Sequence, residues 1–266
     1  MYEEFYGLRE NPFSADPNSR YVYESRGYRT VLETLLSGLA RHRGIMLVDG
    51  AAGTGKTTLC FDLPARLDPT RYRTAVIFDP FLDVEAMLQA LLAEFGATYA
   101  EGAPAADLLE RLRRFLLARR EDGQTCVAVF DESWHLAPEL LARLRALADS
   151  AGDDGGLLRL VLVGQQDVPQ QGRQQVPATQ DPPDPGRCVL ANLDADELAA
   201  YVQYRLAVAG AGDRVQFTDG ALERVFQATG GVPRMVNQAC DRALLAGYVA
   251  KVTRIGRQHV EQALAD

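Results

Sequence analysis

Eight consecutive residues, Gly50, Ala51, Ala52, Gly53, Thr54, Gly55, Lys56 and Thr57, follow the pattern GxxxxGK(S/T). The glycines let the backbone wrap so that its N–H groups point inward at phosphate oxygens. A helix starting at Thr57 adds the positive end of its dipole. Lys56 is suited to the outer phosphates as a compact point charge, a task for which the planar fork of arginine is badly shaped. Of 28 basic residues only Lys56 and Lys251 are lysine. A lysine kept in so arginine-rich a chain marks a place where arginine would not serve.

A second group of chemically capable residues closes the apolar run Cys126 to Phe130, where Asp131 and Glu132 stand side by side. Mg²⁺ bound to nucleotide phosphates takes hard oxygen ligands, so the Thr57 hydroxyl and the Asp131 carboxylate are predicted around such an ion. Glu132, one residue further on, is predicted to polarise an attacking water. Gln165 ends another apolar run. Ligands of a parallel sheet sit outside the carboxyl ends of its strands, so Gln165 is either within reach of the same phosphate or a solvated loop residue. Arg234 follows Gly230, Gly231, Val232 and Pro233, and either reaches back to the γ-phosphate or caps a surface.

The elements that must hold these groups are legible from the pattern of apolar residues. Ile45 to Val48, Thr74 to Phe78, Cys126 to Phe130 and Leu160 to Val163 are continuous apolar runs rich in β-branched residues, as strands buried on both faces of a parallel sheet are. Helical spacing separates them over Val84 to Phe95, Ala106 to Leu117 and Pro138 to Leu147. Strand and helix alternate, which predicts a doubly wound α/β fold over residues 1–190. From Asp194 the character changes: 194–209, 218–229, 233–250 and 257–265 read as helices, a small all-helical domain over 191–266. Asp194 and Glu197 have capping-box spacing. The intervening stretch 165–187 is dominated by glutamine and proline and has little to bury, so it reads as a mobile loop or linker.

Composition narrows the classes of function. The chain has 266 residues, 47% of them hydrophobic and 24% charged, the profile of a soluble globular protein. A net charge of -8 argues against a uniformly basic nucleic-acid binder, while leaving room for a local stripe from Arg41, Arg43, Arg111, Arg113, Arg114, Arg119 and Arg120. Cys60, Cys126, Cys188 and Cys240 lie far apart with no CxxC pair, which suits buried free thiols in a reducing compartment. With no signal-peptide pattern at the start and no run of 18 apolar residues, a cytoplasmic location and no transmembrane segment are expected.

The segments MYEEFYGLRENPFSADPNSRYVYES, GAAGTGKTTL, VFDES, LVLVGQ, LANLDADELAAYVQYRL and GGVPRMVNQACDRALLAGY, in this order, resemble the ExeA/GspA (general secretion pathway protein A) family of AAA+ ATPases. The resemblance implies a P-loop AAA+ parallel sheet core sandwiched by helices, followed by a helical lid. It implies Walker A at Gly50 to Thr58, Walker B at Asp131 and Glu132, sensor 1 at Gln165 and sensor 2 at Arg234. Pro12, Phe13 and Tyr21 match the segment that packs near the adenine in such ATPases, although simple core packing is the alternative for Phe13 and Tyr21. ATP or ADP with Mg²⁺ is the implied ligand. A homo-oligomer and a protein client, for instance a secretion-system component, are the implied partners.

The chain departs from the family in three places. Walker B continues as Ser133, Trp134 and His135 where Ala-Gln is usual; Trp134 reads as an aromatic anchor under a loop or a stacking group, and His135 as a surface polar group. The helix expected to carry an arginine for a neighbouring subunit is replaced by the Gln/Pro-rich stretch, leaving Arg173 and Arg187 as candidates and predicting slow basal turnover. No membrane span or further domain follows within the sequence, which puts a channel-building role in doubt. A DNA-associated ATPase of the transposition-regulator kind and a slowly hydrolysing nucleotide-responsive scaffold are the competing readings.

Overall fold

The computed structural model describes residues 2–14, 19–41, 44–79, 81–149, 156–165 and 186–265. Along the chain, helices α1 (Glu3–Tyr6) and α2 (Arg26–Ala40) precede strand β1 (Ile45–Gly50), and α3 (Lys56–Arg66) precedes β2 (Tyr72–Ile77). Next come α4 (Val84–Glu94), α5 (Ala105–Glu121), β3 (Thr125–Phe130), a 3-10 turn at Ser133–His135, α6 (Pro138–Asp149), β4 (Leu158–Gln165) and β5 (Arg187–Leu190). The remainder holds α7 (Ala195–Val208), β6 (Gln216–Phe217), α8 (Asp219–Thr229), α9 (Pro233–Val249), β7 (Arg254–Ile255) and α10 (Arg257–Ala265). The chain forms two compact units, one of residues 30–52 with 59–190, the other of residues 1–29, 53–58 and 191–266.

The first unit is built on a parallel five-stranded sheet in the order β2-β3-β4-β1-β5. The four apolar runs of the sequence are its strands β1 to β4, and helices lie between them, so the expected α/β class is the one observed. Central β3 and β4 are buried along nearly their whole length, as continuous apolar runs require. On β1 fully and partly buried residues alternate instead, and on β2 they do so after the exposed Arg73. One face is covered by α4, α5 and α6, which lie against β2, β3 and β4 respectively. Met87, Leu88, Leu91 and Leu92 form the buried stripe of α4, whose first turn is capped by the Asp83 carboxylate accepting from the Ala86 N–H at 2.8 Å.

Two elements of this unit carry weak sequence signals. Strand β5, four residues long, pairs with β1 and shows the alternating burial of an edge strand. Arg187, the end of the stretch expected to be a linker, is its first residue, and residues 166–185 lie outside the described residues. Helix α2 was also not expected, although Leu35 and Leu39 are fully buried at i, i+4 spacing.

The second unit gathers α7, α8, α9 and α10 around a core to which Tyr2, Tyr6, Leu8, Phe13 and Tyr21 also belong. The N-terminal residues 2–29, assigned with the sheet from sequence, therefore group with the helices instead. Tyr6 is wholly buried, and its single hydroxyl proton is shared between the carbonyls of Leu244 and Val252 at 3.0 and 3.2 Å. Buried Arg205 holds the arm, donating to Pro12 O at 2.5 Å, Ser14 O at 3.2 Å and the Tyr201 hydroxyl at 2.9 Å. The capping box of Asp194 and Glu197 forms as expected, and both carboxylates also engage Arg26. Two-residue β6 and β7 pair in parallel, an addition to the all-helical expectation.

Candidate functional site

Sheet order and register bring three strand ends together. Gly50, the last residue of β1, is the register partner of Gln165, the last residue of β4. On the other side of β4 runs β3, with Phe130 opposite Leu162. Asp131 follows directly, held by donating its backbone N–H to Ile77 O at 2.9 Å across the neighbouring β2. The carboxyl ends of β1, β4 and β3 thus present the start of the glycine-rich loop, an amide and a carboxylate pair side by side, where ligands of open parallel sheets bind. Asp131 is 6% exposed.

The rest of the loop belongs to the second unit. Gly53 has φ 82° and Gly55 has φ 102°, conformations that favour glycine. A Cβ built on Gly53 would stand 2.8 Å from the Cβ of Arg234 and 3.2 Å from a Val232 methyl, so only a glycine fits there. The Arg234 N–H donates to Gly53 O at 3.2 Å. The structure therefore places Arg234, proposed from sequence, directly on the glycine-rich loop, at the start of α9 with Pro233 as its first residue. Helix α3 opens at Lys56, one residue earlier than expected, which places the amides of its first turn and the Lys56 side chain at the loop. Thr54 and Lys56 are buried, each 5% exposed, and Thr57 is exposed.

Glu132 is more constrained than its sequence position suggests. Its backbone is left-handed, φ 47° and ψ 40°, uncommon for a residue with a side chain. Its N–H donates to the Asp131 carboxylate at 3.0 Å. One carboxylate oxygen of Glu132 accepts from the Trp134 indole N–H at 2.6 Å, and the other meets the Gln165 amide at 3.4 Å. Gln165 and Glu132, proposed separately, are thus joined. Trp134, which the sequence reading treats as an anchor or a stacking group, is the other partner of this carboxylate; its signal is a lone tryptophan two residues past Glu132.

Other expected groups take more structural places. Phe13 and Tyr21 are buried; Phe13 lies edge-on to Phe217, and the Tyr21 hydroxyl donates to Glu10 at 2.9 Å while the Arg205 guanidinium lies 4.8 Å from its ring centre. Arg187 donates through Nε and Nη2 to one oxygen of Asp49 at 2.7 and 2.5 Å, so its guanidinium is held within its own chain. Arg173 and Arg43 lie outside the described residues. Along α5 the arginines are interleaved with acids: Arg114 and Arg113 face Glu110 at 2.8 and 3.9 Å, and Arg119 faces Asp122 at 2.8 Å. Such pairing dilutes a phosphate-binding stripe.

The donor chemistry suits a phosphate-bound Mg²⁺. Among the described residues no three His, Cys, Asp or Glu side chains gather into a cage for a metal ion. Mg²⁺ on a nucleotide needs none, because one or two protein oxygens complete a shell of phosphate oxygens and water. The Thr57 hydroxyl and Asp131 carboxylate are hard oxygen donors of that kind. The cysteines are free and buried, and burial pushes the Cys126 thiol up to about 12, so it stays protonated and unreactive at neutral pH. Among the described residues no helix is long and apolar enough to cross a membrane.

Comparison with known proteins agrees with this arrangement. A family model described as AAA domain matches residues 39–171. General secretion pathway protein A of Aeromonas hydrophila is 38% identical over 248 residues, which cover 93% of this chain and 45% of that protein. The chain thus spans about half the length of this curated relative. Among solved structures, the ORC2 protein of Aeropyrum pernix superposes with a TM-score of 0.68 at 18% identity, covering 97% of this chain and 71% of that one. Cdc6p of Pyrobaculum aerophilum superposes with a TM-score of 0.69 at 17% identity, covering 95% and 69%. At such identities the likeness concerns the fold alone. With a glycine-rich loop leaving β1 and a carboxylate pair leaving β3, the chain belongs to the AAA domain family and is homologous over most of its length to General secretion pathway protein A.

Proposed function

We propose that this chain is an ATPase that binds ATP with Mg²⁺, hydrolyses it, and uses the cycle to change its own shape or the assembly of a partner complex. One observation carries the reading: the strand ends of β1, β4 and β3 align Gly50, Gln165 and the Asp131–Glu132 pair. Residues Gly50 to Thr58 cradle the phosphates with backbone N–H groups, and Lys56 neutralises charge on the outer ones. Thr57 and Asp131 would hold Mg²⁺, which would offset phosphate charge. Glu132 orients the water for in-line attack, with Gln165 on its carboxylate, and Arg234 answers charge developing on the γ-phosphate. Phe13 and Tyr21 are assigned to the core of the helical unit rather than to the base, and Pro12 anchors the arm through Arg205.

Homology to General secretion pathway protein A supports a secretion-type client, membership of the AAA domain family supports a homo-oligomeric working state, and four buried free thiols suit a reducing, cytoplasmic location. The paired arginines of α5 disfavour the DNA-associated reading.

Calorimetry and a phosphate-release assay test the proposal. Lys56→Ala is expected to lose ATP binding, whereas Glu132→Gln keeps binding and loses hydrolysis. Equal turnover in wild type and Glu132→Gln refutes the role given to that carboxylate, and absence of any ATP or ADP binding by the folded wild type refutes the whole.

A further inference from the structure

Trp134 is the single tryptophan of the chain. It sits in the middle of the 3-10 turn that begins immediately after the left-handed Glu132, a turn closed by the His135 N–H donating to Glu132 O at 3.1 Å. This backbone reversal returns the indole to the residue two positions before it, where Nε1 donates to a Glu132 carboxylate oxygen at 2.6 Å.

Burial does not account for the placement. Trp134 is 38% exposed, and Phe81, at the far end of the same run of rings, is 76% exposed. The rings are nevertheless ordered: His135 lies 3.4 Å from Trp134 between centroids, and Phe81 lies 4.4 Å from His135. Gly164 of β4 lies close to the indole, since a Cβ there would be 3.5 Å from Trp134 Cδ1. The indole is thus held by the imidazole and flanked by the strand backbone, and its one polar atom points at Glu132.

We propose that Trp134 is a positioning residue for Glu132, setting the angle at which that carboxylate meets the attacking water. The inference rests on the reading of Glu132 as the water-orienting group. A carboxylate has about four lone-pair sites, and its terminal torsion is broad and roughly two-fold. The indole engages one oxygen and the Gln165 amide, more weakly, the other. The plane of the carboxylate is then fixed, and its remaining lone pairs keep one direction. The indole bond is 2.6 Å long against 3.4 Å for the amide, so the indole is the dominant restraint.

Trp134→Phe keeps a smaller aromatic ring against His135 and removes the N–H. Turnover is expected to fall by roughly tenfold or more, as small misplacements of a reacting group do, with KM and ATP binding unchanged. In a Glu132→Gln background the same substitution should lower the residual rate no further, because its effect passes through the carboxylate. A second readout needs no tryptophan variant: Glu132→Gln replaces the charged acceptor with an amide and should shift the emission of the sole indole. Unchanged or faster turnover in Trp134→Phe, an equal fractional loss in both backgrounds, or identical emission in wild type and Glu132→Gln overturns the proposal. An inactive Glu132→Gln beside a fully active Trp134→Phe sinks this inference alone. A fully active Glu132→Gln sinks the reading of Glu132 and this inference with it.

Discussion

Gly53→Ala puts the glycine-rich loop to a quantitative test. At φ 82° a Cβ costs about 1–2 kcal/mol through its clash with the backbone. The same Cβ would stand 2.8 Å from Arg234 Cβ and 3.2 Å from a Val232 methyl, whereas carbon atoms rest at about 3.5–4.0 Å. Arg234 Cβ is fixed to the backbone and cannot swing aside, so a further overpacking cost of about 1–3 kcal/mol follows. The sum is about 2–5 kcal/mol. Gly102→Ala is the control, since it shares a positive φ of 71° but has nothing within 4 Å of the added methyl; only the backbone cost of about 1–2 kcal/mol applies. At about 2–4 °C per kcal/mol for a chain of this size, Gly53→Ala should melt on the order of 4–20 °C below wild type and clearly below the control. Melting with and without ATP adds a second reading. At about 100 times Kd, ligand binding stabilises by about 2.7 kcal/mol, a rise the control keeps and Gly53→Ala loses because its loop backbone is displaced. If Gly53→Ala melts with Gly102→Ala and rises equally with ATP, the close approach between the loop and the start of α9 does not exist as described.

Alkaline titration should expose the buried phenol of Tyr6, whose value is pushed by burial from 10.0 up to about 12. A raised value keeps the native phenol protonated, so its stability contribution is whole below about pH 10 and is lost as pH climbs toward 12. Tyr6→Phe should cost about 1–2 kcal/mol at neutral pH through its two orphaned carbonyl acceptors and flatten the alkaline loss in denaturant melts; an unchanged alkaline slope contradicts this. Arg187→Ala should cost about 1 kcal/mol or less, since its pair with Asp49 is partly exposed and screened. Because that guanidinium is held in its own chain, ATP turnover should not change, and a loss of about a thousandfold would return Arg187 to a neighbour's site.

Local chemistry made much of this protein legible without coordinates. A continuous apolar run has few alternatives to a buried strand, and β1 to β4 follow from four such runs. The pattern Gly50 to Thr57 names its own backbone demands, because few residue types tolerate those angles or that charge. Asp131, Glu132, Gln165 and Arg234 were readable as candidates because each stands at the end of a strand or the start of a helix. Features set by pairing across distance were not readable. Strand β5 has four alternating residues and becomes a strand only because β1 offers it an open edge. Residues 2–29 join the helices because Arg205, nearly two hundred residues later, supplies donors for Pro12 and Ser14 carbonyls. Whether Trp134 serves the fold or the carboxylate depends on a left-handed turn at Glu132, a conformation that a glutamate does not announce. Residue types and spacing determined which groups could act on a phosphate; only tertiary structure decided strand order, the company of the N-terminal arm and what grips Glu132, because those depend on contacts whose partners are remote in sequence or on backbone angles imposed by the surroundings.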